Sequence, residues 1–170
     1  MNRSQGRKSR RMRLLARVAS AFTFVEVMVV VIIIGVLAAI VIPQFGGVTE
    51  DAKASACEGG LAGVRSAIAG YRAKAILTGS AAYPTFTQLN TEGVVVEGEL
   101  PKNPYSGLRE VQQVSVSAAN SRSVSNTSTY GWNYYVDNTA TPPRAVFYAN
   151  SSQVTTVPDG DGGFKTANEL

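Results

Sequence analysis

Residues 22 to 43 read FTFVEVMVVVIIIGVLAAIVIP, and between Phe22 and Ile42 the one ionisable side chain is Glu26. About 20 consecutive apolar residues are what a helix needs to cross the hydrocarbon core of a bilayer. A buried helix of a soluble protein would show a polar face at this length, and this stretch has none. It therefore reads as a membrane segment, and any soluble fold must be built from the residues beyond Pro43. Glu26 is the anomaly. A carboxylate at the centre of a spanning helix costs about 2.5–3.5 kcal/mol, and less near the helix end, so a plain anchor gains nothing by carrying one.

The charge distribution points the same way. Seven bases (Arg3, Arg7, Lys8, Arg10, Arg11, Arg13 and Arg17) precede the apolar run, with no acid among them. The whole chain has 16 Lys and Arg against 12 Asp and Glu, so from Phe22 onward nine bases face twelve acids, a formal charge of −3. The basic pI belongs to the first 21 residues and not to a nucleic-acid-binding surface on the rest. A basic flank before an apolar segment keeps the N-terminus cytoplasmic and sends the remainder across the membrane. The apolar run exceeds the 7–15 or so residues of a secretory signal, whose cleavage site also comes after the run. Here the small-residue triplet Ala19-Ser20-Ala21 precedes it; conventional cleavage after GVLAA and an uncleaved anchor both stay open. One cysteine, Cys57, excludes an intramolecular disulfide. The absence of histidine removes the commonest general base and metal ligand.

The stretch AFTFVEVMVVVIIIGVLAAIVIPQF, behind its basic leader, resembles the N-terminal signal and first helix of type IV pilins and type II secretion pseudopilins. The shared features are Ala21, Phe22, a glutamate four positions later, Gly35, and Pro43 closing the run. The resemblance implies that a prepilin peptidase cuts between Ala21 and Phe22 on the cytoplasmic face and that the new Phe22 amine is N-methylated. It further implies that Glu26 pairs with the Phe22 amine of a neighbouring subunit during assembly. The family usually has Gly immediately before the cut, and Ala21 departs from that, which puts the efficiency of processing in doubt.

Beyond Pro43, where a kink rather than a stop is expected, an apolar stripe continues. Phe45, Val48 and Ala52, then Cys57, Leu61, Val64, Ile68, Tyr71 and Ala75, recur at helical spacing to about Leu77. Gly59 and Gly60 weaken the helix locally, and Thr78-Gly79-Ser80 ends it. The runs VVVE (94–97), REVQQVSVS (109–117), WNYYV (132–136) and AVFYA (145–149) predict strands, the last two forming an antiparallel hairpin. The Ser- and Asn-rich stretch 115–131 reads as an exposed loop. A helix followed by strands gives an α+β fold, a long N-terminal helix with a small antiparallel sheet on its second half. This arrangement resembles the pilin-like fold. The expected organisation is a leader, 1–21, removed on processing; a membrane or filament-core helix, 22–43; its amphipathic continuation, 44–78; a connecting region, 79–108; and a sheet region with a tail, 109–170. The segment GELPKNPYSG (98–107) resembles the Leu-Pro-x-x-Pro loop of major pseudopilins, and GWNYYV their first C-terminal strand.

No catalytic constellation is present: no nucleophile stands beside a base, and no glycine-rich phosphate loop follows a strand. An enzyme is not expected. Cys57, on the stripe, reads as a small core hydrophobe. Asp159 and Asp161, in PDGDGG, offer calcium two carboxylates in a flexible loop, and the resemblance to major pseudopilins adds weight to that; a solvated Asp-Gly turn is the competing reading. The triplets at Asn126 and Asn150 fit a glycosylation pattern but are common by chance in such sequence. The resemblance implies a pseudopilus subunit for type II secretion. Its expected partners are further copies of itself, minor pseudopilins, the prepilin peptidase, and an inner-membrane platform with its ATPase; nucleic acid is not among them. The precursor is expected in a bacterial inner membrane with its C-terminal domain periplasmic, before entering a periplasmic or cell-surface filament. The alternatives are a surface type IV pilus subunit, for adhesion, motility or DNA uptake, and a membrane-tethered enzyme or binding module acting alone.

Overall fold

The computed structural model describes residues 22–170, without the side chains of residues 43–46. The basic leader and Ala21 lie outside the described residues, and so does the kink expected at Pro43. Pro43 nonetheless falls within the first helix, α1 (Phe24–Thr78), and does not end it. The chain divides after Ile42 into two compact units.

The first unit is helical from Phe24. Thr23 starts the helix: its Oγ1 accepts the Glu26 N–H at 3.2 Å and its carbonyl accepts the Val27 N–H at 3.2 Å. The sequence Thr-x-x-Glu is the signature of a helix N-terminus.

The second unit folds on the remainder of α1. Ala54, Cys57, Leu61, Val64, Ile68 and Ala75 are buried at alternating spacings of three and four (with Tyr71 half-buried between the last two), forming one face against the sheet. The stripe begins at Ala54 rather than at Val48 and Ala52. Those two residues are exposed, because the hydrophobic core starts only at Cys57. Gly79, at φ +67°, lets the chain turn out of the helix, and the Ser80 N–H reaches the Ala75 carbonyl at 3.1 Å. This is the six-to-one bond of a Schellman cap.

A one-turn helix, α2 (Phe86–Leu89), closed by a Thr85/Gln88 capping box, leads to the sheet. Strands β1 (Val111–Gln113), β2 (Trp132–Asp137) and β3 (Arg144–Ala149) lie in that order. The β2–β3 hairpin is antiparallel as expected, from Trp132↔Ala149 to Asp137↔Arg144. Strand β1, however, runs parallel to β2, so the sheet is mixed. Parallel neighbours need a crossover connection, and the stretch read as an exposed loop supplies it. Ser115 caps a helix, α3 (Val116–Ser121), whose Ala119 is buried. VVVE (94–97) forms turns and bends instead of a strand, closed by a Gly93 N–H to Val96 carbonyl bond of 2.8 Å. Past β3, a second hairpin joins β4 (Val154–Pro158) to β5 (Phe164–Thr166), ending in a 3-10 turn, Ala167–Glu169.

Strand alternation sorts the side chains. Trp132 and Tyr134 of β2, Phe147 and Ala149 of β3 and Val111 of β1 join Cys57, Leu61, Val64 and Ile68 in one core, with the Trp132 and Phe147 rings stacked at 5.4 Å. On the other face a buried polar network holds the crossover. Asn150 donates to the Ser125 and Tyr130 carbonyls, Asn133 donates to Asn150 Oδ1, and the Tyr148 hydroxyl donates to the Ser123 carbonyl. Asn150 is fully buried, so its Ser-Ser sequel marks a structural asparagine.

Candidate assembly surface

In the first unit the large apolar side chains from Val27 to Ile42 are each 44–69% exposed, and Phe22 and Phe24 more so. They surround the helix on all sides, and by length and composition the helix is able to cross a membrane. Phe22 directly precedes the helix that Thr23 caps. Glu26 stands in its first turn, where the partial positive charge of the helix N-terminus favours a carboxylate. Among the described residues the Glu26 carboxylate has no hydrogen-bond or ion-pair partner. The structure thus brings Phe22 and Glu26 to one helix terminus. The residue that the expectations missed is Thr23, although its spacing from Glu26 was legible as half of a capping box.

The Leu-Pro-x-x-Pro loop is bound tightly to the second unit. The Trp132 indole N–H donates to the Pro101 carbonyl at 2.8 Å. Asn103, fully buried, donates to the Gly131 carbonyl at 2.6 Å and accepts the Tyr105 N–H at 2.9 Å. At Gly131 a Cβ would overlap the Leu108 carbonyl, so only glycine lets the loop and β2 approach this closely. Gly60 faces Pro101 and Trp132, which makes it a packing point, whereas Gly59 faces open space.

The remaining candidates resolve into structural roles or stay apart. Cys57 is fully buried, and that burial pushes its thiol up to about 11. Asp159 and Asp161 are exposed at the β4–β5 turn. Asp159 Oδ1 accepts the Asp161 and Gly163 N–H groups at 2.8 and 3.0 Å, which leaves its second oxygen and Asp161 as charged donors for a cation. Among the described residues no three His, Cys, Asp or Glu side chains gather as metal ligands.

Two arginines tie the end of the chain to the core. Arg65, on α1, donates to the Phe147 carbonyl at 3.0 and 3.1 Å and to the Leu170 carbonyl at 2.9 Å. Arg122, at φ +48° after α3, donates to the Asn168 and Leu170 carbonyls, both at 3.1 Å. Burial, and secondarily Arg122, pulls the Arg65 pKa below its ordinary value.

Comparison with known proteins gives a similar relative. The type II secretion system core protein G of Pseudomonas aeruginosa is 37% identical over 79 residues, which cover 46% of this chain and 51% of that protein. The chain thus spans about half the length of the curated relative it matches. No protein-family model matches the chain, and no solved structure does.

Proposed function

We propose that this chain is a structural subunit of a pseudopilus that assembles from the inner membrane and supports type II protein secretion. One observation carries the reading: a helix apolar on every side, capped by Thr23, with a carboxylate in its first turn that has no partner among the described residues. The resemblance to core protein G supports it.

The physical argument concerns what drives subunits out of lipid. Lipid tails are as apolar as valine and isoleucine, so moving this helix from bilayer to fibre gains little from the hydrophobic effect. Close packing and polar pairing must decide the equilibrium. Cleavage between Ala21 and Phe22 by a prepilin peptidase would remove the seven bases and create the amine, N-methylated, that Glu26 of a neighbouring copy meets. A buried charge is tolerable when paired and costly when alone, so the unpartnered carboxylate biases the subunit toward the assembled state. The work is mechanical. The sequence carries no nucleotide-binding loop, and energy would come from an assembly ATPase at the inner-membrane platform. The second unit would lie in the periplasm, with minor pseudopilins as further partners.

The test is Glu26→Leu in the full chain. Membrane insertion should equal or exceed that of the unaltered protein, and N-terminal mass spectrometry should still find processed, methylated Phe22. Sheared fibre yield should collapse, because removing one member of a buried pair typically costs about 3–5 kcal/mol. Normal fibres from this variant would refute the role given to Glu26.

A further inference from the structure

Asp51, Glu58, Arg65 and Arg72 succeed one another along α1 at intervals of seven residues. With 3.6 residues per turn they form a nearly straight line up one flank of the helix. Ser55, Ala62 and Ala69, all exposed, lie four residues after the first three, on the same flank. The line is thus acidic in its lower half, basic in its upper half, and interleaved with residues too small to hold another helix away.

Neither half meets a side chain of opposite charge among the described residues, although Arg65 and Arg122 already donate to the Phe147, Asn168 and Leu170 backbone oxygens. Asp51 and Glu58 are exposed and pair with no cation among the described residues, whose ion pairs are Glu50–Lys53 and Glu99–Arg109. No Asp or Glu side chain among those residues meets Arg65, Arg72 or Arg122. Instead these three arginines line a groove of about 360 Å³ floored by Ile68, Val146 and Phe147. Arg72 is held at its rim by Tyr83, whose hydroxyl accepts an Arg72 N–H at 2.7 Å and whose ring lies 4.9 Å from the guanidinium carbon.

We propose that this groove receives the Asp51–Glu58 flank of α1 from a second copy of the chain, with Asp51 against Arg65 and Glu58 against Arg72. The proposal deepens the pseudopilus reading and rests on it. Both pairs form at once if parallel copies are offset by fourteen residues, about 21 Å at 1.5 Å per residue. An unshifted pair sets like charge against like. An offset of seven sets Asp51 against Glu58 and Arg65 against Arg72, with a single attractive contact between them. An offset of twenty-one leaves one pair. The charge pattern is therefore a ruler that selects one axial register. Complementary charge fixes register and rejects wrong pairings more than it adds affinity. An antiparallel pair would also satisfy these charges, matching Asp51 to Arg72 and Glu58 to Arg65, but copies entering a fibre from one membrane all point the same way.

The experiment uses the full chain with Cys57→Ala, made in cells that carry the assembly machinery. Two differently tagged copies are combined, one bearing Glu58→Cys and the other Arg72→Cys. Mild oxidation should give a disulfide-linked heterodimer in sheared fibres. Asp51→Cys with Arg72→Cys should give none, and a dimer from that combination instead would mean antiparallel packing or another offset and would overturn the proposal. In parallel, Glu58→Arg should lower fibre yield about tenfold or more, as expected when like charges are juxtaposed, and adding Arg72→Glu should restore most of it. The thermal melt of each variant establishes that its fold is intact, Arg72→Glu in particular because Arg72 touches Tyr83. Undiminished fibres from Glu58→Arg would sink the register alone and leave the pseudopilus reading standing. Failure of the unaltered chain to form Glu26-dependent fibres would sink both.

Discussion

Cys57 and Asn103 show how single residues acquire roles from their surroundings. A thiol pushed up to about 11 by burial is almost wholly protonated at neutral pH, and the thiolate is the reactive form. Cys57 should therefore react with a thiol reagent at pH 7–8 only as fast as the protein opens, and rapidly in denaturant. Fast labelling of the native state would contradict the burial. Asn103 fastens the proline-rich loop, and Asn103→Ala would strand the half-buried Tyr105 N–H and take one of two donors from the buried Gly131 carbonyl, which keeps the Asn150 N–H at 2.9 Å. The expected loss is about 1–3 kcal/mol in chemical denaturation. Asn103 was invisible in sequence as more than one residue of a turn, because its weight comes from Gly131, 28 residues away and just before β2. Cys57 was legible, since its place on the helical stripe already put it in the core.

At the scale of elements, the same residue type carries opposite signs in different places. Gly59 sits in the helix facing open space, so Gly59→Ala should stabilise the second unit by roughly 0.5–1 kcal/mol. Gly79 sits at φ +67°, so Gly79→Ala should destabilise it, with thermal melts reading both signs. The turn of the β2–β3 hairpin depends on Asp137. Thr139 chiefly, through its hydroxyl and N–H, with Ala140 N–H in support, holds its pKa below the ordinary value. A depressed carboxylate contributes stability that is complete above its unfolded pKa, about 3.9, and is lost as pH falls through the lower folded value. The protection of the Thr139 and Ala140 amides, measured against the intrinsic exchange rate at each pH, should accordingly fall in acid, and Asp137→Asn should remove that dependence. Calcium at Asp159 and Asp161 remains a proposal: a rise in melting temperature with calcium over chelator would support it, and identical melts would dispose of it. Elements with a strong period were legible in sequence, namely the second half of α1, β2 and β3. VVVE was not, because its β-branched residues meet no neighbouring strand and β propensity follows packing. Nor was α3, a six-residue helix whose signal is one Ser cap in a polar stretch. The parallel pairing of β1 followed from that missed crossover.

Across the whole molecule, folding and assembly draw on different residues. Every member of the buried core, from Cys57 to Ala167, lies beyond Ile42, as do the polar network and the arginines that hold the chain end. The first unit contributes exposed apolar surface and the Phe22–Glu26 terminus. A chain beginning at Pro43 thus loses none of the buried core. It should be soluble without detergent, melt cooperatively, and keep both helical and strand signals in circular dichroism. Substitutions in the two units should then separate cleanly. Asn103→Ala should lower the melting temperature of the Pro43 chain as much as that of the full chain in detergent, since sites without shared contacts act additively. Glu26→Leu should leave the melt of the full chain unchanged while abolishing fibres. A Pro43 chain that is molten or aggregated would show that residues 22–42 support the fold directly. The division between a folding unit and an assembly unit would then be wrong, and loss of fibres in Glu26→Leu could no longer be read as a failure of assembly alone.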